Sequence, residues 1–66
     1  MNLHIEFDRE EDGRWIAEIP QMPGVMVYGA TKAEAEARVQ ALALRVVAEQ
    51  LEKDDTPIDH VGFAAA

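Results

Sequence analysis

The residues best suited to chemistry in this 66-residue chain are carboxylates: Glu6, Asp8, Glu10, Glu11, Asp12 and Glu18 crowd into its first third. Paired carboxylates can move protons or hold Mg²⁺ when burial or a neighbouring charge tunes them. Here they fall on the polar positions of alternating strands and in a turn, with no partner residue that would raise a pKa. A solvated face, or an electrostatic contact with a basic partner through Glu10, Glu11 and Asp12, fits them better. His4 and His60 are the only histidines. Were the C-terminal tail to pair beside the first strand, they could meet Asp59 or Glu6 around a metal, but two histidines so far apart in sequence make a weak signal. Nucleophilic catalysis lacks its parts: the chain has no serine or cysteine, and Thr31 and Thr56 suit a helix cap and a turn. Gly24 and Gly29 flank a short strand, unlike the G-x-G-x-x-G spacing of a phosphate loop. Neither a catalytic set, a cofactor site nor a metal site is expected.

The elements that position these groups are legible in the hydrophobic pattern. Leu3, Ile5 and Phe7 alternate with His4, Glu6 and Asp8, the period-two signature of a half-buried strand. Arg9 to Gly13 connects it to a return strand, Arg14–Ile19, with Trp15, Ala17 and Ile19 on one face. Pro20 and Pro23 interrupt the ladder because each lacks an amide donor, and Gly24 supplies a turn conformation. A third strand, Val25–Tyr28, follows and is expected to end at Gly29. Thr31 and Glu34 have the spacing of a capping box at a helix start. The helix runs from Lys32 to Lys53, roughly 33 Å at 1.5 Å per residue.

One helix stripe, Ala35, Val39, Leu42, Ala43 and Val46, has core spacing. A second apolar set includes Leu44, Val47 and Leu51, more than a single sheet contact should bury, and is expected to meet another copy of the chain. Pro57 ends the helical region, and the tail around His60–Ala64 has strand character, expected to add to a sheet edge within the protomer or across a dimer. The expected fold is α+β, one domain over residues 1–66: a three-stranded antiparallel meander, one long helix on one face, then a fourth strand.

Composition narrows the functional classes. A core this small supplies only ~3–5 kcal/mol, so such chains usually need a staple. Without cysteine there is no disulfide, leaving oligomerisation. A net charge of −7 repels nucleic acid and attracts a basic partner. No apolar run reaches the ~20 residues of a membrane span, and no basic-then-apolar leader opens the chain, so a cytoplasmic protein is expected.

The spacing Ile19-Pro20…Pro23-Gly24…Gly29…Thr31…Glu34-Ala35, with Asp12-Gly13 ahead of Trp15 and Ala17 and with Pro57 after the helix, resembles the HicB-like antitoxin family in a short form. The likeness spans nearly the whole chain. It implies a β-β-β-α-β fold similar to a truncated ribonuclease H-like domain that lacks the nuclease carboxylates. It further implies a non-catalytic protein that masks a small basic ribonuclease toxin. Full-length members of that family add a DNA-binding module and repress their own operon. Only nine residues follow Pro57 here, so operator binding is not expected of this chain. The motif residues Pro20, Pro23, Gly24, Gly29, Thr31 and Glu34 shape the fold and identify no interface. The other expectation is a stand-alone homo-oligomer with a structural or regulatory role.

Overall fold

In a computed structural model describing residues 1–65, the chain is an α+β protein with one helix against a four-stranded mixed sheet. The elements are β1 (Asn2–Arg9), β2 (Trp15–Glu18), β3 (Met26–Gly29), α1 (Lys32–Asp54) and β4 (Gly62–Ala65), with strand order β3-β2-β1-β4. β1, β2 and β3 pair antiparallel in sequence order, whereas β4 lies parallel to β1 at the far edge. The tail strand thus pairs within the protomer. Its direction follows from the helix, which carries the chain along the sheet and returns it beside Asn2, as a crossover between parallel strands requires.

The alternation in β1 turns Leu3 and Ile5 into the core, and Ala17, Ile19 and Val25 join them from the neighbouring segments. Across from this sheet face, Ala35, Val39, Ala43 and Val47 form the buried ridge of α1. Alanine at two of these four positions lets helix and sheet approach closely. Phe7, Trp15, Val27, Leu42, Val46, Val61 and Phe63 pack around the rim.

Val47 therefore corrects the expectation that placed it on an outward stripe: it is 5% exposed. Residues four apart advance 40° around a helix beyond a full turn, at 100° per residue. The ridge 35-39-43-47 consequently winds across α1 and reaches a side chain assigned to the other face by counting from one end.

The turns explain the prolines and glycines. Met22 N–H donates to the Ile19 carbonyl (2.9 Å) and Val25 N–H to the Met22 carbonyl (3.0 Å), making two successive tight turns. In the second, Pro23 then Gly24 at φ +87° has the residue order and left-handed backbone of a type II turn. Gly29 plays a different part from strand breaker. It is the last residue of β3, paired with Trp15. A methyl group there would sit 2.5 Å from the Ala35 backbone nitrogen and 2.9 Å from its Cα. Its missing side chain is what lets the first turn of α1 rest on the strand.

That turn is capped as the Thr31–Glu34 spacing predicts. Thr31 Oγ1 accepts from Glu34 N–H at 3.0 Å, while Glu34 Oε1 accepts from Ala30 N–H at 2.9 Å. At the other end Asp55 adopts a left-handed conformation (φ 52°) and its N–H donates to the Leu51 carbonyl at 3.0 Å, satisfying one of the orphan carbonyls there.

Candidate functional site

Since α1 covers one face of the sheet, the opposite face meets solvent. Strand register decides what it displays. Glu6 lies opposite Glu18, which lies opposite Met26; Asp8 lies opposite Ile16, which lies opposite Tyr28. Three carboxylates therefore share a surface with three apolar or aromatic side chains. Met26 is 47% exposed and Tyr28 39%. Glu6 against Glu18 puts like charges directly across a strand pair, an arrangement that is destabilising by itself.

Of the basic side chains with a partner, only Arg14 reaches this face, over Tyr28. Arg9 stacks over Trp15 (5.3 Å to the ring centre), and Lys32 sits over Phe7 (4.7 Å) and Trp15 (5.9 Å), at the rim of the covered face. Arg38 pairs with Glu34 (3.2 Å) and donates to the Tyr28 carbonyl at 2.9 Å. Arg14 lies over the Tyr28 ring at 4.6 Å and pairs with Asp12 at 2.8 Å. Among the described residues these are the two ion pairs, and neither neutralises Glu6, Asp8 or Glu18.

The hairpin residues Glu10, Glu11 and Asp12 divide into separate roles. Glu10 helps build the turn, its N–H donating to the Arg14 carbonyl (2.8 Å) and its carbonyl accepting from Gly13 N–H (3.0 Å). The Asp12 carboxylate accepts from the Arg14 backbone N–H at 3.1 Å and the Arg14 side chain at 2.8 Å. These contacts, the backbone N–H first among them, hold the Asp12 carboxyl below the ordinary carboxylate range. Glu11 is exposed. The hairpin carboxylates thus reach solvent beside the open face, with Asp12 already engaged by Arg14.

The β1–β4 pairing does not set the histidines side by side: His4 lies beside Ala64, four residues along the strand from His60. His60 Nε2 lies 3.4 Å from Asn2 Oδ1. Among the described residues no three His, Cys, Asp or Glu side chains converge as metal ligands. A depression of about 360 Å³ near the C-terminal end of α1 is lined by Glu49, Gln50, Glu52 and Lys53, unlike the mostly apolar walls of a small-molecule site. No helix of the described residues is long and apolar enough to cross a membrane.

Sequence reasoning missed Gln21. β2 pairs with β1 only from Glu6 to Arg9, so the first half of β1 has no strand on that side. There the Gln21 side-chain amide stands in for one: its Oε1 accepts from His4 N–H and its Nε2 donates to the Asn2 carbonyl, both at 2.9 Å. The available signal was its position between Pro20 and Pro23, in a turn that folds back beside β1.

Leu44 is 47% exposed, Leu51 half-buried and Val47 buried, so of these three larger side chains of the second helix stripe Leu44 is the one open to a partner. Comparison with protein-family models, with curated proteins and with solved structures finds no match to this chain.

Proposed function

We propose that this chain is a non-catalytic interaction module of the antitoxin type, which binds and masks a small basic protein of the ribonuclease-toxin class. One observation carries the reading: the uncovered sheet face combines unpaired carboxylates (Glu6, Asp8, Glu18) with exposed Met26 and Tyr28. Apolar and aromatic side chains supply the area an interface core needs, and surrounding charges steer a basic partner and fix its orientation. The Glu6–Glu18 repulsion, unrelieved in the free chain, would be relieved by an incoming lysine or arginine. The net charge of −7 gives the whole molecule the matching long-range field.

The element order β-β-β-α-β agrees with what the HicB-like resemblance implies, and supports the reading without identifying the partner. A stand-alone homo-oligomer is the second reading, favoured by exposed Leu44.

The test is recovery of the tagged chain from its native host at low salt, mass identification of any bound small basic protein, and assay of that protein's RNA cleavage. The proposal expects cleavage that stops at stoichiometric addition of this chain, with a complex that raised salt dissociates. Recovery of the chain alone from cells shown to express a small basic ribonuclease would favour the second reading.

A further inference from the structure

The two edges of the sheet are treated differently by the rest of the chain. On the β3 edge, the Tyr28 carbonyl accepts from Arg38, and Glu34 takes the Ala30 N–H just beyond the strand. Charged side chains placed along an edge in this way block pairing with another sheet. β4 has no such cover. Gly62 N–H donates to the Met1 carbonyl (2.8 Å), which turns the Gly62 and Ala64 backbone groups toward β1. Alternation along the strand then points those of Phe63 and Ala65 outward, and no side chain among the described residues meets the outward groups of Phe63.

Charge separates the edges further. Residues 61–65, Val-Gly-Phe-Ala-Ala, carry no charge in a chain whose net charge is −7. Two copies of so acidic a protein repel wherever their charged surfaces meet, and can approach most closely at an uncharged strip. The edge is also self-complementary: identical rows of donors and acceptors pair antiparallel across a twofold axis. A basic protein partner, by contrast, is drawn to the carboxylates of the open face, and nucleic acid has no basic surface to hold here.

We propose that the β4 edge joins a second copy of this chain, β4 to β4 and antiparallel, so that two four-stranded sheets become one continuous sheet across a twofold axis. Half-buried Val61 and Phe63 would be covered on the helix side of the junction, which supplies the apolar burial a small core lacks. The inference is independent of the antitoxin reading, because it uses the opposite edge and neither the open face nor the hairpin.

Sedimentation velocity over a broad concentration range, with and without added salt, gives the first readout. The proposal expects a dimer that salt strengthens, as screening removes the repulsion between acidic copies; a complex with a basic toxin weakens with salt, so the two claims fail separately. Because the chain has no cysteine, Ala64→Cys places a single spin label on β4. Opposed antiparallel strands put labelled residues within about 5–15 Å for registers offset by up to a few residues of 3.4 Å each. Ala65→Pro removes an outward N–H and no donor to β1, and is expected to give a folded monomer by circular dichroism. A wild-type chain that stays monomeric throughout overturns the proposal. So does a dimer whose labels at residue 64 lie far apart, or one that Ala65→Pro leaves intact; if Ala65→Pro unfolds, the label distance alone decides.

Discussion

Replacing Gly29 with alanine tests the packing of helix on sheet at its tightest point. Gly29 has an ordinary negative-φ backbone, so the substitution carries no left-handed penalty. Steric overlap is the whole effect. The new methyl would lie 2.5, 2.9 and 3.1 Å from the backbone N, Cα and Cβ of Ala35. Two of these three atoms are main chain in the first helical turn, where Ala35 N–H also donates to the Thr31 carbonyl at 3.0 Å. No rotamer change can relieve them, so strand and helix must separate. Overpacking typically costs 1–3 kcal/mol, and a backbone neighbour puts this site near ~3. A domain of this length has roughly 3–10 kcal/mol in total at 0.05–0.15 per residue, and the loss corresponds to a fall in Tm of about 12–24 °C.

Trp15, directly across from Gly29 and the single tryptophan, reports the transition in urea at fixed protein concentration. Gly29→Ser should be worse still. Ala35→Gly should not rescue Gly29→Ala, since it removes only the farthest of the three contacts and adds about 1 kcal/mol of helix penalty. Gly24 is the control: it has φ +87° and open space around a Cβ, so alanine costs about 1–2 kcal/mol from backbone strain, and Gly24→Asn recovers part of it. A Gly29→Ala protein within about 0.5 kcal/mol of wild type, the range of an inconsequential surface change, would refute the close-approach account.

Further outcomes follow from single contacts. Gln21→Ala should destabilise by about 1–2 kcal/mol, the net value of two lost hydrogen bonds at exposed backbone. It should also raise amide exchange at His4; unchanged exchange there would remove Gln21 from its strand-like role. Glu18→Lys should stabilise the free chain by roughly 0.2–1 kcal/mol by ending the like-charge pair with Glu6, while weakening the complex with a basic partner. The same sign in both measurements would count against the open face as the contact. By NMR titration the Asp12 carboxyl should ionise below its ordinary value of 3.8. Because the folded value is depressed, its contribution to stability is present above the ordinary carboxylate range and fades as pH falls through the lowered pKa. Arg14→Gln should keep most of the depression, since the backbone N–H is its leading cause; complete loss would assign it to the guanidinium.

Local chemistry was readable from sequence wherever neighbours in the chain decide the outcome. Leu3, Ile5 and Phe7 announce β1, Pro23-Gly24 a tight turn, and Thr31 with Glu34 the start of α1. Readings that depend on distant contacts were less legible. Gly29 reads as a strand end until Ala35 is seen against it. Gln21 gains its role only because β2 stops short of the first half of β1. Val47 changes face because an i, i+4 ridge winds around the helix, and the parallel pairing of β4 is set by where α1 returns the chain. The open face was half visible: alternation puts Glu6, Asp8 and Glu18 outward, but only the register sets them beside Ile16, Met26 and Tyr28.

The proposed function is tested most directly by isotope-labelled NMR titration of this chain with the small basic protein recovered from its host. The account predicts amide shifts concentrated at Glu6, Asp8, Ile16, Glu18, Met26 and Tyr28, diminishing as salt is raised. Shifts confined to the outward face of α1, or a complex indifferent to salt, would contradict it.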